Sequence, residues 1–265
     1  KKVYLWSHGV KTSELKTSTR LLFKAFFTHV TGVLMYNRYN CKYMKMIGCR
    51  EECLHVIHNS LDTSTQSAIY ERLSSSDIYT RHFGNNNPTL IYIGRIQRVK
   101  KTEQILDAMA LLKEKGLYVN LVVVGANVDD EMFTQKLSDY QLQDNVWMYG
   151  PCFDEKKNSE LIYNAAVCVS PGNVGLTCIH VLSYGTPVIT NDNFSTQMPE
   201  YEAIKKGVTG DFFKENDIDD LANKIDYWIS LTPEQRSNSR NIARETIVNE
   251  WSVDYQINLL TKILI

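Results

Sequence analysis

The most regular hydrophobic pattern in the chain covers residues 165–190. Val167–Ser170 is a short apolar run typical of a buried strand, and Pro171–Gly172 interrupts it. Apolar residues then recur at helical spacing up to Gly185, and Thr186–Thr190 is a second strand-like run. The pattern predicts a strand, a glycine loop, a helix and a further strand. In that order, unpaired N–H groups of the first helical turn lie just beyond the first strand and can hold an anion.

Strand and helix patterns alternate along the rest of the chain, which favours an α/β fold with parallel sheets. Towards the start, the predicted strands are residues 3–7, 33–36 and 54–57, and the predicted helices are residues 13–31 and 38–47. From residue 89 onward, the predicted strands are residues 90–93, 120–124 and 146–149, and the predicted helices are residues 102–115, 129–140, 155–165 and 219–230. A further helix begins after Thr232, which is followed by proline.

The segment between residues 62 and 88 is poorer in apolar side chains and contains serine and asparagine clusters, as connections between domains do. We therefore predict a first domain at residues 1–62 and a linker at 63–88. A second domain follows at 89–250, and an amphipathic helix at 251–265 ends the chain.

The predicted helix at residues 13–31 has an apolar side and a basic side. Its apolar positions are Leu15, Leu22, Phe23, Phe26, Phe27 and Val30, and its basic positions are Lys11, Lys16, Arg20 and Lys24. We expect the apolar side to cover a sheet. The alternative is docking on a membrane surface that presents a lipid-linked acceptor.

Composition narrows the class of protein. The 265 residues are 43% hydrophobic and 22% charged, as in ordinary globular proteins, and no apolar run reaches the length of a membrane span. A net charge of −1 argues against a nucleic-acid partner. The six cysteines form no C-x-x-C pair, which favours reduced thiols in the cytoplasm. Because the chain begins with Lys1 rather than methionine, we expect a fragment.

Glycines directly follow several predicted strands, at Gly94, Gly125, Gly150 and Gly172. In open parallel sheets the carboxyl ends of the strands line the ligand crevice. Arg95 and Lys100 lie in the loop after the first of these strands, where a guanidinium and an ammonium group can neutralise a diphosphate. Arg98 and Lys101 lie in the same loop, so the alternative is a solvated basic loop.

The order of these motifs resembles the donor domain of retaining GT-B glycosyltransferases of family 4. The motifs are Gly94-Arg95…Lys100, Val124-Gly125, Val146-x-x-x-Gly150, Ser170-Pro171…Gly175-Leu176 and Gly185-x-Pro187-Val188-Ile189. The resemblance implies a Rossmann-like donor domain and an amino-terminal Rossmann-like acceptor domain, onto which the last helix crosses back. That acceptor domain is only partly present here, because the family needs about a hundred more residues.

The resemblance also implies an activity. The enzyme would transfer a sugar from a nucleotide-diphosphate sugar to a glycan or lipid-linked acceptor, with retention and with neither metal nor cofactor. It would act in surface polysaccharide biosynthesis, in the cytoplasm or at the inner face of the membrane. Asp217 and Asp219 form an Asp-x-Asp pair, but they precede a helix, so we predict a helix cap there and no metal site.

Site residues follow from the same resemblance. Arg95 and Lys100 would bind the donor diphosphate, and His8, in a His-Gly loop, would face the transferred sugar. The remaining donor-binding residues are expected to be Gly94, Gly125, Gly150, Pro151, Asn173, Val174, Gly175, Leu176 and His180. For the polar stretch that follows Thr190 we predict a surface loop; the alternative is a loop that closes over the donor, with Gln197 and Glu200 reaching it.

The chain departs from the family at two positions. Family 4 commonly has two glutamates around this loop and helix, and alignment places Gly172 and His180 there. His180 would contact the donor ribose or simply pack within the fold. A catalytically silent nucleotide-sugar-binding subunit of a glycosyltransferase complex is therefore the alternative function. A related epimerase is disfavoured, because the loop offers no acid–base carboxylates.

Overall fold

The computed structural model describes residues 1–10, 16–129 and 131–265. The strands are β1 Tyr4–Ser7, β2 Gly32–Met35, β3 Leu54–Val56, β4 Thr89–Ile93, β5 Ile96–Gln97, β6 Asn120–Val124, β7 Asn127–Asp129, β8 Val146–Met148, β9 Val167–Ser170, β10 Val188–Asn191 and β11 Gly210–Phe213. The helices are α1 Thr17–Phe27, α2 Arg38–Met46, α3 Ser64–Tyr70, α4 Ile78–Phe83, α5 Glu103–Glu114, α6 Glu131–Asp139, α7 Glu155–Asn164, α8 Thr177–Ser183, α9 Ile218–Ile229, α10 Pro233–Thr246 and α11 Val253–Leu264.

The larger sheet has six parallel strands in the order β11-β10-β9-β4-β6-β8. Its strands alternate their side chains between two cores: Leu90 and Tyr92 face one, and Ile91 faces the other. Strand order runs outward from β4 in one direction and from β9 in the other. The switch point therefore lies between β4 and β9, and ligand crevices form at such points, beyond the carboxyl ends of the strands.

The smaller sheet has three parallel strands in the order β1-β2-β3. Val33, Met35 and Met44 are fully buried in its core. Both of these sheets are parallel, as the alternating pattern predicts, and β5 and β7 form a further two-stranded parallel sheet. This confirms the predicted α/β class with Rossmann-like units.

Helix α1 differs from the expected packing. Of its residues only Phe27 is buried, whereas Leu21, Leu22 and Phe26 are 61%, 67% and 59% exposed. The prediction that Leu22 and Phe26 cover a sheet is thus wrong, because Phe27 and the partly buried Phe23 are the residues of this helix that pack on the core. Lys11 and Leu15, which the sequence assigned to this helix, lie outside the described residues.

Residues 63–88 contain two short helices, α3 and α4. Tyr79 of α4 is buried and donates a hydrogen bond to the Leu161 carbonyl over 2.5 Å. The segment predicted as a linker therefore packs against α7, a helix that covers the six-stranded sheet.

Carboxylates from the loop after β10 reach the smaller sheet. Glu202, in the 3₁₀ turn Pro199–Ala203, accepts the backbone N–H groups of Arg38 and Tyr39 at the start of α2, over 2.9 and 2.7 Å. Glu200 of the same turn accepts from Asn59 over 2.5 Å. An acidic cap on a helix start is favourable because it meets unpaired N–H groups and the positive end of the helix dipole.

Helix α11 also contacts the smaller sheet's layer. The Gln256 side chain donates to the His58 carbonyl over 2.5 Å, and the Tyr4 hydroxyl donates to the Ile263 carbonyl over 3.0 Å. Within residues 1–10, 16–129 and 131–265, no helix has both the length and the apolar character needed to cross a bilayer.

Predicted helix caps are found where the sequence places them. The Asp217 side chain accepts the Asp220 N–H at the start of α9, over 3.0 Å. Thr232 and Gln235 form a reciprocal capping box at the start of α10, with Pro233 as its first residue.

The half-buried carboxyl group of Glu202 makes a pH-dependent contribution to stability. Burial raises the pKa of Glu202 above its ordinary value of 4.5, although hydrogen bonds from Arg38 and Tyr39 act in the opposite direction. An acid with a raised folded-state pKa favours folding at low pH, and that contribution is lost as pH rises from about 4.5 through the folded-state pKa.

We therefore expect the unfolding free energy of Glu202→Gln, relative to wild type, to increase as pH rises from about 4.5 to 7. Urea unfolding at several pH values measures this difference. Glu114→Gln, at an exposed glutamate of α5, is the matched control and should show no such trend. An equal trend in both variants would contradict the assignment.

Candidate functional site

The loops after β4 and β9 meet at the switch point of the larger sheet. The Gly172 N–H donates to the Lys100 carbonyl over 2.9 Å. A Cβ atom at Gly172 would lie 2.7 Å from both Lys100 Cα and the Val99 carbonyl oxygen, which is closer than packed atoms approach. Only glycine fits here, and its absence of a side chain brings the basic loop against the glycine loop.

Lys100 and Arg95 form a cationic pair beside this contact. The Lys100 Nζ donates to the backbone carbonyl and to the side-chain Oδ1 of Asn173, over 2.9 and 2.6 Å. Burial, and then the charge of Arg95, lower the pKa of Lys100 below its ordinary value. Arg95 is exposed, and its guanidinium has no partner among the described residues. The pair therefore presents positive charge that no carboxylate of the described chain neutralises.

The other predicted glycines line the same edge. The Gly125 N–H donates to the Gly150 carbonyl over 3.0 Å, and a Cβ atom at Gly125 would lie 1.8 Å from the Gly94 carbonyl oxygen. Gly94, Gly125 and Gly150 thus pack backbone against backbone, with the exposed Pro151 next in the chain. No side chain of these three glycines therefore stands between the strand ends.

Backbone N–H groups of the glycine loop are only partly available. The Val174 N–H donates to the Gln197 Oε1 over 2.9 Å, and Val174 is buried, so this N–H is not free to hold an anion as the sequence suggested. The next two, those of Gly175 and Leu176, have no acceptor in the described part of the chain. Leu176 is 43% exposed. The available donors therefore lie at positions 175 and 176, directly before α8.

A buried polar network holds the glycine loop in place. The Gln197 Nε2 donates to the carbonyl of Gly172 and the hydroxyl of Thr190, over 3.2 and 2.9 Å. The Asn191 Nδ2 donates to the carbonyls of Pro171 and Gly172, over 2.7 and 3.0 Å. These three side chains are 98–100% buried and satisfy carbonyl groups that would otherwise lack partners.

The surface-loop prediction for the stretch after Thr190 is therefore wrong for Gln197 and Glu200, both only 1% exposed. The sequence singled out both residues but did not predict their burial, because glutamine and glutamate are usually exposed and only the bend of the chain brings these side chains inward. The one local signal was Asn191, a polar residue that directly ends an apolar strand.

His180 is held by a carboxylate on a neighbouring helix. Its Nε2 lies 2.7 Å from the Glu155 Oε1, and the Tyr184 hydroxyl donates to the same oxygen over 2.6 Å. Burial alone would raise the pKa of Glu155, but hydrogen bonds from His180 and Tyr184 outweigh it and lower that pKa. His180 therefore lies in a cluster with Tyr184 and with Glu155 at the start of α7. Its pairing with Glu155 could not be predicted from its position in the sequence.

His8 lies beyond the carboxyl end of β1, in the smaller sheet. Its ring centroid is 4.5 Å from that of Tyr36, and its carbonyl accepts from the Asn40 side chain over 2.7 Å. The imidazole is exposed. None of its contacts within the described residues joins it to Arg95 or Lys100, so the two groups of predicted site residues belong to separate sheets.

A model of the family described as glycosyl transferases group 1 matches residues 80–246. The match covers well over half of the chain and contains the whole edge described above, from Gly94 to Leu176. The chain therefore belongs to this glycosyltransferase family. No curated protein sequence matches the chain.

Solved structures of similar fold are GT-B glycosyltransferases. Anabaena HepE, in complex with UDP and glucose, is 18% identical with a TM-score of 0.72, covering 99% of this chain and 71% of HepE. The lipopolysaccharide outer core galactosyltransferase WaaB is 17% identical with a TM-score of 0.74, covering 99% and 68% of the two chains. S. aureus TarM is 16% identical with a TM-score of 0.69, covering 99% and 50%. At these identities the likeness shows the shared fold, which confirms the GT-B architecture expected from the sequence.

The network around Gln197 yields a testable prediction. In Gln197→Glu the Val174 N–H keeps its acceptor, but a buried carboxylate replaces the donor to Gly172 and Thr190. We expect a loss of about 2–4 kcal/mol in unfolding free energy, because a buried charge would then face carbonyl oxygens. Urea denaturation at pH 7 measures it.

The matched control is Gln141→Glu, at an exposed glutamine, for which we expect a change within about 0.5 kcal/mol. Similar values for the two variants would show that the Gln197 network does not stabilise the loop.

Proposed function

We propose that the protein is a retaining glycosyltransferase of family 4 that takes a sugar from a nucleotide-diphosphate sugar, with no metal or cofactor. The observation that carries the proposal is the Lys100–Arg95 pair beside the glycine loop, at the switch point of the sheet. Two cations and the N–H groups of Gly175 and Leu176 converge there, which suits the two phosphates of such a donor.

The charges support a mechanism. Cleavage of the sugar–phosphate bond leaves negative charge on the departing diphosphate and positive character on the sugar. Lys100 is held in position by Asn173 before any ligand arrives, and such preplaced charge stabilises the departing group without reorganisation. Under this proposal the leaving phosphate accepts the proton of the acceptor hydroxyl. The sugar keeps its anomeric configuration, and His8 faces it from the smaller sheet.

Relatives of similar fold support the donor class. HepE has been solved with UDP-glucose, and a TarM variant with UDP and α-GlcNAc-glycerol. By analogy we propose a uridine nucleotide as the first donor to test and a glycan or lipid-linked glycan as acceptor, in surface polysaccharide biosynthesis.

Helix α1 supports a location at the inner face of the cytoplasmic membrane. Leu21, Leu22 and Phe26 are exposed beside Arg20 and Lys24, a combination that suits contact with an anionic lipid surface. This arrangement would bring the smaller sheet close to a lipid-linked acceptor.

One observation favours the alternative, a catalytically silent nucleotide-sugar-binding subunit. Gly172 stands where the family commonly has its first glutamate, and the 2.7 Å approach to Lys100 leaves no room for a side chain. Phosphate contacts by Lys100, Arg95 and the backbone do not need that glutamate. Binding without turnover is therefore the outcome that the alternative predicts.

The first prediction concerns nucleotide binding. We expect UDP to bind wild type in the presence of EDTA, and Arg95→Ala or Lys100→Ala to weaken binding by about 1–3 kcal/mol, since each removes a charged hydrogen bond. Isothermal titration calorimetry measures it. Arg98→Ala, at an exposed arginine of the same loop, is the control and should bind as wild type does. Equal losses in Arg95→Ala and Arg98→Ala would contradict the assigned site.

The second prediction concerns turnover. We expect release of UDP from UDP-glucose or another UDP-sugar, by transfer or slow hydrolysis, at equal rates with EDTA and with Mg²⁺. Arg95→Ala should lower this rate more than Arg98→Ala does, because developing diphosphate charge loses a partner. UDP binding with no turnover of any UDP-sugar would favour the silent subunit instead.

A further inference from the structure

A second cleft lies at the opposite edge of the six-stranded sheet, where β4 and β9 begin. It has a volume of about 360 Å³, and Thr89 and Ala166 at the strand starts form its floor. Arg236 and Arg240, one turn apart on α10, line it together with seven residues of the segment 75–88. This edge takes no part in the site described above, which lies beyond the other ends of the same strands.

Both arginines are tied to backbone carbonyls. The Arg236 Nη1 donates to the Ala166 carbonyl over 3.0 Å, and its Nη2 to the Trp228 carbonyl over 3.2 Å. The Arg240 Nη1 and Nη2 donate to the carbonyls of Tyr184 and Tyr163, over 3.2 and 3.0 Å. These carbonyls belong to the ends of α7, α8 and α9 or to the start of β9, so the arginines also stabilise helix ends.

Carbonyl contacts leave the two charges without a counter-ion. In the described residues neither Arg236 nor Arg240 forms an ion pair with a carboxylate, and no carboxylate lines the cleft. Burial, and then the charge of Arg240, lower the pKa of Arg236 below its ordinary value. Glu160 is nearby, but it accepts the Ser76 hydroxyl and is not part of the lining. Arg240 also lies over the Tyr163 ring, with its Cζ 3.9 Å from the ring centroid. Two adjacent, partly buried cations without a carboxylate counter-ion favour an anion between them.

Unused hydrogen-bond donors surround the same cleft. The Nε–H groups of both arginines have no acceptor among the described residues, and a guanidinium has five N–H donors in all. Thr89 is only 3% exposed, and its buried hydroxyl has no hydrogen-bond partner among the described residues. Ser75 at the rim likewise has no hydrogen bond to the described chain. Both charged and neutral donors without an acceptor in the described chain thus belong to residues that line the cleft.

We propose that this cleft binds the phosphoryl group of a small phosphorylated molecule. Arginine pairs match the planar, multidentate geometry of phosphate, and hydroxyl and N–H groups complete its shell. The volume of about 360 Å³ lies within the range of small-molecule sites and leaves space for a group attached to the phosphate. The site is independent of the donor site and does not rest on the glycosyltransferase proposal.

The test titrates inorganic phosphate and glucose 6-phosphate separately into the full chain by calorimetry. Ser75→Asp places a carboxylate at the rim of the cleft without touching either arginine. Ser74→Asp adds the same charge at an exposed neighbour that does not line it. We expect saturable binding of one molecule per chain, weakened on the order of tenfold by Ser75→Asp through charge repulsion and little changed by Ser74→Asp.

Tighter binding of glucose 6-phosphate than of phosphate would identify a phosphorylated sugar as the ligand type, whereas equal binding would identify phosphate itself. The proposal is overturned if neither probe binds saturably, or if the two aspartate variants lose affinity equally. It is also overturned if Arg95→Ala, rather than Ser75→Asp, abolishes binding, because phosphate would then bind beside Arg95 at the carboxyl edge of the sheet. Arg240→Lys, which keeps the charge but loses the planar fork, should weaken binding while thermal melting confirms that it folds.

Discussion

The contact between Gly172 and the backbone of Lys100 is the constraint on which the carboxyl edge of the six-stranded sheet depends. Two loops that are more than seventy residues apart in the chain touch there without any intervening side chain. Because the contact is backbone to backbone, it positions Lys100 against Asn173 and orients the following N–H groups in the same step. A side chain at 172 would separate the loops and scatter these groups.

Buried polar side chains maintain this contact from below. The glycine loop's carbonyls are satisfied by Thr190 and Asn191, the last two residues of β10, and by Gln197 in the segment that follows. Such a network is stable only when every member has a partner, so it favours a single loop conformation. The same segment continues to Glu200 and Glu202, which contact the smaller sheet. The same stretch of chain therefore holds the glycine loop in place and contacts the layer of the smaller sheet.

The cationic side chains at the two edges of the six-stranded sheet have different hydrogen-bond partners. At the carboxyl edge, Lys100 is tethered to Asn173 while Arg95 stays exposed and unpaired. At the amino edge, Arg236 and Arg240 are tethered to helix ends and line a cleft. In both places cations without carboxylate partners, rather than apolar walls, define the character of the site.

Sequence pattern alone determined the α/β class, the main helices and strands and the caps at Asp217 and Thr232, because these depend on local periodicity and local hydrogen bonds. It also singled out Arg95, Lys100 and the glycines, because strand ends of a parallel sheet meet at one edge. It did not predict the short elements α3, α4, β5, β7 and β11. Only the tertiary structure decided that the Val174 N–H is occupied, that His180 pairs with Glu155, that Leu22 and Phe26 are exposed and that Gln197 is buried. Each of these depends on a partner distant in the chain or on how the chain bends. The spacing of residues along the sequence predicts neither.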